Sequence, residues 1–193
     1  MLAAASRPRL KRPDMRFVET TIAGVFEITI EWHRDERGTF GRFFCAEEFA
    51  VHGLPTHFPQ CSISSSARRG TVRGFHFQAA PHQEAKLVQC VAGRALDVAL
   101  DLRQGSPTYG RYHAIELSSA SGRMLFIPEG CAHAFQTLED ATALAYAISA
   151  PYQADGTRGV AWDDPAIGVN WPITDGVILS DADRRWPRLT ELR

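Results

Sequence analysis

The sequence predicts an all-β protein, a single jelly-roll barrel with only a few short helices. Three observations lead there. Apolar residues fall in short runs that alternate with polar ones instead of recurring at helical spacing. Turn residues separate these runs at frequent intervals. Stretches with a helical pattern are few and short. Many short strands with little helix form barrels or jelly rolls, which close or protect their own edges.

In chain order, Gly24 to Glu31 (GVFEITIE) sets Phe26, Ile28 and Ile30 against Val25, Glu27, Thr29 and Glu31, the alternation of a strand. Ala46 to His52 (AEEFAVH) suits a short helix. Arg94 to Leu102 places Leu96, Val98, Leu100 and Leu102 on one face and Asp97, Ala99 and Asp101 on the other, and a loop from Arg103 to Pro107 follows. Further strands are expected near Tyr112 to Leu117, Met124 to Ile127, Ala132 to Leu138 and Thr142 to Ser149. Pro128-Glu129-Gly130 and Glu139-Asp140 break them. From Tyr152 onward the chain is rich in Pro, Gly, Asp and Trp and is expected to wrap the barrel. Within it, Ser180 to Arg184 reads as one helical turn with Ser180 as N-cap. Residues 1–16 read as a disordered tail, with Met15 a candidate natural start, and residues 17–193 as one domain.

Composition narrows the function. The chain has 193 residues, 45% hydrophobic and 22% charged, with a formal net charge of -1. Such a balance creates no general field for nucleic acid or anionic membrane, so a phosphate-bearing ligand needs a local cluster of Arg and Lys. Cys45, Cys61, Cys90 and Cys131 form no CxxC pair, and free thiols in a reducing cytoplasm are expected. No apolar run approaches the roughly 20 residues that span a bilayer. The N-terminal basic stretch lacks the apolar segment of a secretion signal.

Three segments carry polar residues inside apolar strands: GTVRGFHFQ with Arg73 and His76, PEGCAHAF with His133, and ALAYAI with Tyr146. Lys86 opens the apolar run LVQCVAG. Singly, each has an ordinary structural reading: a hydrogen-bonded strand histidine, a core tyrosine, a solvated strand-end lysine, a surface arginine. Together they describe a barrel that holds one ligand among converging polar groups. Arg73 and His76 are three apart, so a regular strand would send them to opposite faces; a bulge at Gly74 would reset the phase. PEGCAH resembles the second histidine motif of metal-binding cupin barrels. The first such motif offers paired histidines, but here it reads His76-Phe77-Gln78. His82 or Glu84 would have to complete a metal site, and none is expected.

In order and spacing, DERGTF (Asp35 to Phe40), GTVRGFHFQ, Ala85 to Gly110, MLFIPEGCAHAFQTL, GVAWDDPAIGVNWP and LSDAD (Leu179 to Asp183) resemble the dTDP-4-dehydrorhamnose 3,5-epimerase family. The resemblance covers nearly the whole chain. It implies a metal-free cupin-type jelly roll, a homodimer with strand exchange, no cofactor, and a nucleotide-diphosphate 4-keto sugar as substrate. It further implies that His76 is the base, Asp183 its carboxylate partner, Tyr146 the acid and Lys86 a catalytic cation. Arg73, His133, Arg37, Gln60 and Tyr152 are implied in substrate binding. Two departures stand out. Arg42 occupies the place where the family's DERG motif leads to a glutamate near the nucleotide base, which brings CDP- and GDP-linked sugars into play. The stretch before GTVRG reads PQCSISSSARR in place of the family's Asp-, Asn- and His-bearing pattern.

The residue types suit that chemistry. A proton on the carbon beside a ketone is acidic because the enolate is delocalised, and an imidazole of ordinary pKa near ~6.5 can take it at neutral pH. A carboxylate on the far ring nitrogen fixes the tautomer and stabilises the imidazolium. Lys86 and His133 suit the oxyanion developing at C4. Inversion at C3, C5 or both needs an acid on the other sugar face, the part that suits Tyr146. Rival readings are a nucleotide-sugar 3,4-ketoisomerase, a metal-dependent cupin enzyme, and a sugar-binding barrel without catalysis.

Overall fold

The computed structural model describes residues 14–192. Its strands are β1 (Met15–Glu19), β2 (Phe26–Ile30), β3 (His33–Asp35), β4 (Gly38–Phe40), β5 (Gln60–Ser66), β6 (Val72–Gln78), β7 (Lys86–Ala92), β8 (Arg94–Asp101), β9 (Tyr112–Ser118), β10 (Arg123–Ile127), β11 (Cys131–Thr137), β12 (Thr142–Ile148) and β13 (Thr157–Gly159). One α-helix, α1 (Ala46–Val51), and single-turn 3-10 segments at Ala154–Gly156, Asp183–Arg185 and Leu189–Glu191 complete the described elements. A six-stranded sheet in the order β1-β2-β10-β7-β12-β5 faces a five-stranded sheet in the order β13-β6-β11-β8-β9. Strand pairing within both sheets is antiparallel, as a jelly roll requires. The small hairpin β3–β4 stands apart from them.

Most of the expected disordered tail lies outside the described residues. Met15 and Arg16, assigned to it, instead open β1. Met15 is buried, pairs with Ile30 and donates its N–H to Glu48 Oε2.

Alternation located the strands but not which face looks inward. Val98 and Leu100 of β8 point away from the barrel interior, onto Val160, Ile167, Trp171 and Leu189 of the C-terminal segment. The face of Ala95 and Ala99 is the interior one, and Asp97 lies on it by alternation. On β2, Ile28 and Ile30 pack outward with Phe49 of α1. Val25 joins the interior cluster, and Glu27 bonds His113 Nε2 of the opposite sheet at 2.9 Å. Both sheets are therefore covered on their outer faces, by α1 and its flanking segments on one side and by the expected C-terminal wrap on the other. With apolar residues used to seat these covers, the interior faces are free to carry charge.

β5 reads QCSISSS, which lacks both alternation and a bulky β-branched pattern, and was not legible as a strand. It forms as an edge strand because β12 offers it a ladder from Thr142↔Ser66 to Ile148↔Gln60. The expected turn forms as a 3-10 turn that begins at Asp183 with Ala182, not Ser180, as its N-cap; Ser180 Oγ accepts the Asp183 N–H at 3.1 Å.

Candidate active site

A cavity of about 640 Å³ opens between the sheets, with Arg73, His76, Lys86, His133, Tyr146, Tyr152, Asp183 and Trp186 among its lining. The bulge expected in β6 makes this possible. His133 and Phe135 of β11 are two apart, yet their partners His76 and Arg73 are three apart, so β6 carries one extra residue. Gly74 sits there with φ 122°, and a Cβ at this position would lie 2.5 Å from the His133 carbonyl oxygen. Only glycine fits, and it lets Arg73 and His76 both face the cavity while Phe75 between them is buried under the C-terminal wrap.

His76 Nε2 is 2.5 Å from Asp183 Oδ1. Asp183 is buried, and the Trp186 indole N–H also donates to its Oδ1 at 3.1 Å. Burial by itself would raise the Asp183 pKa. The hydrogen bond and charge of His76 outweigh it, with help from Ser180 and Trp186, and hold the carboxyl below its usual range. An ionised carboxylate on Nε2 leaves Nδ1 as the ring nitrogen available to take a proton.

Beside this pair stands a second one. His133 is the direct strand partner of His76, and its Nε2 lies 2.7 Å from Asp97 Oδ1. Both side chains are buried, and Asp97 Oδ2 has no protein partner among the described residues.

Tyr146 projects from β12 in the opposite sheet, its ring edge-on to His133 at 5.7 Å. Burial pushes its phenol far above the ordinary tyrosine range; Asp97 adds to this, and Arg73 and Ser64 only partly oppose it. The hydroxyl is thus a protonated donor. Lys86, read alone as a solvated strand-end charge, is buried, pairs with Glu84 at 3.0 Å and lies 3.4 Å from the His76 carbonyl oxygen. Arg73 reaches Ser66 Oγ at 3.4 Å and the Ser65 carbonyl at 3.3 Å, and it has no carboxylate partner among the described residues. Its guanidinium suits a bound anion.

Other expected binding residues lie elsewhere in this chain. Gln60 does not line the cavity; its Oε1 accepts the Tyr152 backbone N–H at 3.0 Å and so sits one step behind Tyr152. Arg37 is on the β3–β4 hairpin, exposed and paired with Asp35, outside the cavity. Arg42, expected at the nucleotide base, is half-exposed and outside the cavity lining. Asp14 at 2.7 Å and buried Glu48 at 3.6 Å take its guanidinium, tying the start of β1 to α1.

Trp186, Gln78 and Asp97 also belong to the neighbourhood and were not foreseen as site residues, and Glu84 was weighed only as a metal ligand. Asp97 had a signal: an acid alternating with apolar residues in a strand marks the polar face, which here is the interior. Among the described residues no group of three His, Cys, Asp or Glu side chains is arranged to hold a metal ion, and Glu84, a candidate ligand, is engaged by Lys86. The four cysteines are unpaired, and burial pushes the thiols of Cys90 and Cys131 up to about 11 and about 12.

A sequence model of the dTDP-4-dehydrorhamnose 3,5-epimerase family matches residues 19–191. The chain is 44% identical over 179 residues to the dTDP-4-dehydrorhamnose 3,5-epimerase of Sinorhizobium fredii, covering 93% of this chain and 92% of that one. The crystal structure of the Legionella pneumophila dTDP-6-deoxy-D-glucose-3,5-epimerase, in complex with dTDP-4-keto-L-rhamnose, superposes with a TM-score of 0.88 at 32% identity. The match covers 93% of this chain and 95% of that one. A 4-keto-6-deoxy sugar epimerase from the novobiocin gene cluster of Streptomyces spheroides gives a TM-score of 0.87 at 39% identity over 92% of this chain and 88% of that one.

Proposed function

The chain belongs to the dTDP-4-dehydrorhamnose 3,5-epimerase family, and from that premise we propose that it epimerises a dTDP-linked 4-keto-6-deoxyhexose at C3, C5 or both. The observation that carries this is the placement of His76 and Tyr146 on opposite sheets around one cavity, with Asp183 bonded to the histidine. A sugar between the sheets meets a base on one face and a protonated hydroxyl on the other. Inversion requires that arrangement, whereas moving a ketone along the ring does not.

In this reading His76 takes the proton from the carbon next to the C4 ketone. Asp183 stabilises the imidazolium and fixes its orientation. The enolate oxygen at C4 is met by the Lys86 ammonium and by His133. Tyr146 returns a proton from the far side. Arg73 holds the diphosphate through charge-assisted hydrogen bonds, and Tyr152 lies alongside the nucleotide.

Arg37 enters through a homodimer, the β3–β4 hairpin of one protomer reaching across the other's cavity. Two features support this. The hairpin carries exposed Phe40 and Arg37 away from its own site. At the edge of the cover on the six-stranded sheet, exposed Phe43 and Ile63 flank a groove floored by buried Leu87 and Met124. No described helix is long and apolar enough to cross a membrane; together with the unpaired thiols, this supports a cytoplasmic location. dTDP is the first choice of nucleotide because the relatives are named for dTDP-linked sugars, with CDP and GDP kept as alternatives.

The test is turnover of a dTDP-linked 4-keto-6-deoxyhexose in deuterated water. Epimerisation places deuterium at each inverted carbon, read by NMR. A protein that binds the substrate but neither exchanges nor inverts it would overturn this function, and a ketone shifted from C4 to C3 would favour the ketoisomerase.

A further inference from the structure

Gln78 is the last residue of β6, two positions beyond His76 and therefore on the same face. It lines the cavity and is buried at 4% exposure. Yet neither its Nε2 nor its Oε1 has a hydrogen-bond partner among the described residues. Leaving a buried amide donor and acceptor unmatched is costly, and buried polar groups are almost always satisfied. The amide is nonetheless held in place: a Cβ on Gly156 would lie 2.6 Å from Gln78 Oε1, so the backbone there lies close against it. A fixed, desolvated side chain that can both donate and accept, facing a ligand cavity beside the base, is built to be completed by the ligand.

We infer that Gln78 is a specificity residue that hydrogen-bonds the hexose of the substrate, its carboxamide spanning neighbouring oxygen substituents on the ring. This rests on the epimerase reading above. A carboxamide presents one acceptor and a pair of donors in a plane, so it can accept from a hydroxyl while donating to an adjacent hydroxyl or ketone oxygen. Cα atoms two residues apart on a strand are about 6.6 Å apart. A ring whose reacting carbon meets His76 thus brings a substituent a few bonds away to Gln78. The diphosphate need not take part, since Arg73 lies five residues before Gln78 on β6, on the other side of His76 and the bulge.

The physics separates this role from a structural one. Replacing an unpartnered buried amide with an apolar side chain of similar length removes orphaned groups and breaks no protein contact, so Gln78→Met should leave Tm unchanged or raised. Its kcat/KM for a dTDP-linked 4-keto-6-deoxyhexose should fall roughly 10–100-fold, mostly through KM. Its affinity for dTDP alone should match the wild type. Gly156→Ala, which crowds the Gln78 oxygen, should shift KM the same way. Calorimetric binding of a dTDP-6-deoxyhexose, set against dTDP, gives the same comparison without turnover. If the wild type binds that sugar nucleotide but catalyses no exchange, the epimerase reading fails while the Gln78 contact is still decided by binding. Gln78→Met with unchanged sugar affinity and kcat/KM, or with Tm and dTDP affinity falling together, overturns the inference.

Discussion

His76 and His133 face each other across neighbouring strands, and each has an aspartate on Nε2. In other respects they differ. The His76 side chain is 41% exposed and takes its carboxylate from a turn 107 residues away, whereas His133 is 6% exposed and takes its carboxylate from the adjoining strand β8. Asp183 has a second donor in Trp186, while Asp97 keeps one oxygen unpartnered. Similar chemistry thus serves two ends. The exposed pair can exchange a proton with a ligand, and the buried pair fixes a charge near Tyr146 and holds the interior together. In the reading proposed above, this geometry, before any pKa, favours His76 as the proton carrier.

The sharpest way to break this contrast is to remove the exposed imidazole. His76→Asn should slow deuterium exchange at every sugar carbon by ~10²–10⁴-fold, the usual contribution of a general base, with a smaller loss of stability than His133→Asn because Trp186 still donates to Asp183. Exchange at the wild-type rate would mean that another group abstracts the proton. Asp183→Asn keeps the ring but loses a charged hydrogen bond of about 1.5–3 kcal/mol, so exchange should fall ~10–100-fold. His133→Asn tests the other pair. It strands the Asp97 carboxylate and should cost about 1–3 kcal/mol of stability by denaturant titration, more than His76→Asn does. Equal losses for the two would erase the distinction between them. Tyr146→Phe should change exchange by less than about tenfold while inverted product nearly disappears, because the base still forms the enolate. Loss of exchange and inversion together would show that the hydroxyl acts earlier.

The mildest expected effect is on acid stability. A carboxyl held below its ordinary value of 3.8 stabilises the fold above that pH and loses this contribution as pH falls through the lowered folded-state value. Asp183→Asn should therefore flatten the decline in stability on the acid side, measured by denaturant titration from about pH 5 downward.

How much of this could be read beforehand varies by region. The strands from Arg94 to Ser149 were legible because their alternation is strong, and the Gly74 bulge followed from the spacing of Arg73 and His76. Which face looks inward was not legible. Leu96 and Val98 look like core residues in one dimension, and only the C-terminal cover shows that the interior belongs to Asp97. Periodicity did not point to Asp183; family resemblance did, since nothing local in LSDAD indicates a partner on β6. β5 was missed because its serines carry no pattern and its ladder is supplied by β12. For Arg42, motif position suggested a nucleotide contact but gave no sign of its ion pairs with Asp14 and Glu48.

The C-terminal segment joins two events that are separate in most enzymes. Val160, Ile167, Trp171 and Leu189 cover the apolar outside of the five-stranded sheet, and the same stretch delivers Asp183 and Trp186 to His76. During synthesis the barrel strands leave the ribosome first, and their sticky outer surface stays bare until the final stretch arrives. In the proposed mechanism the His76–Asp183 pair therefore forms only once this last segment has docked. A protomer cut short after Gly159 would lack Asp183 and Trp186 and leave Val98 and Leu100 of the five-stranded sheet uncovered.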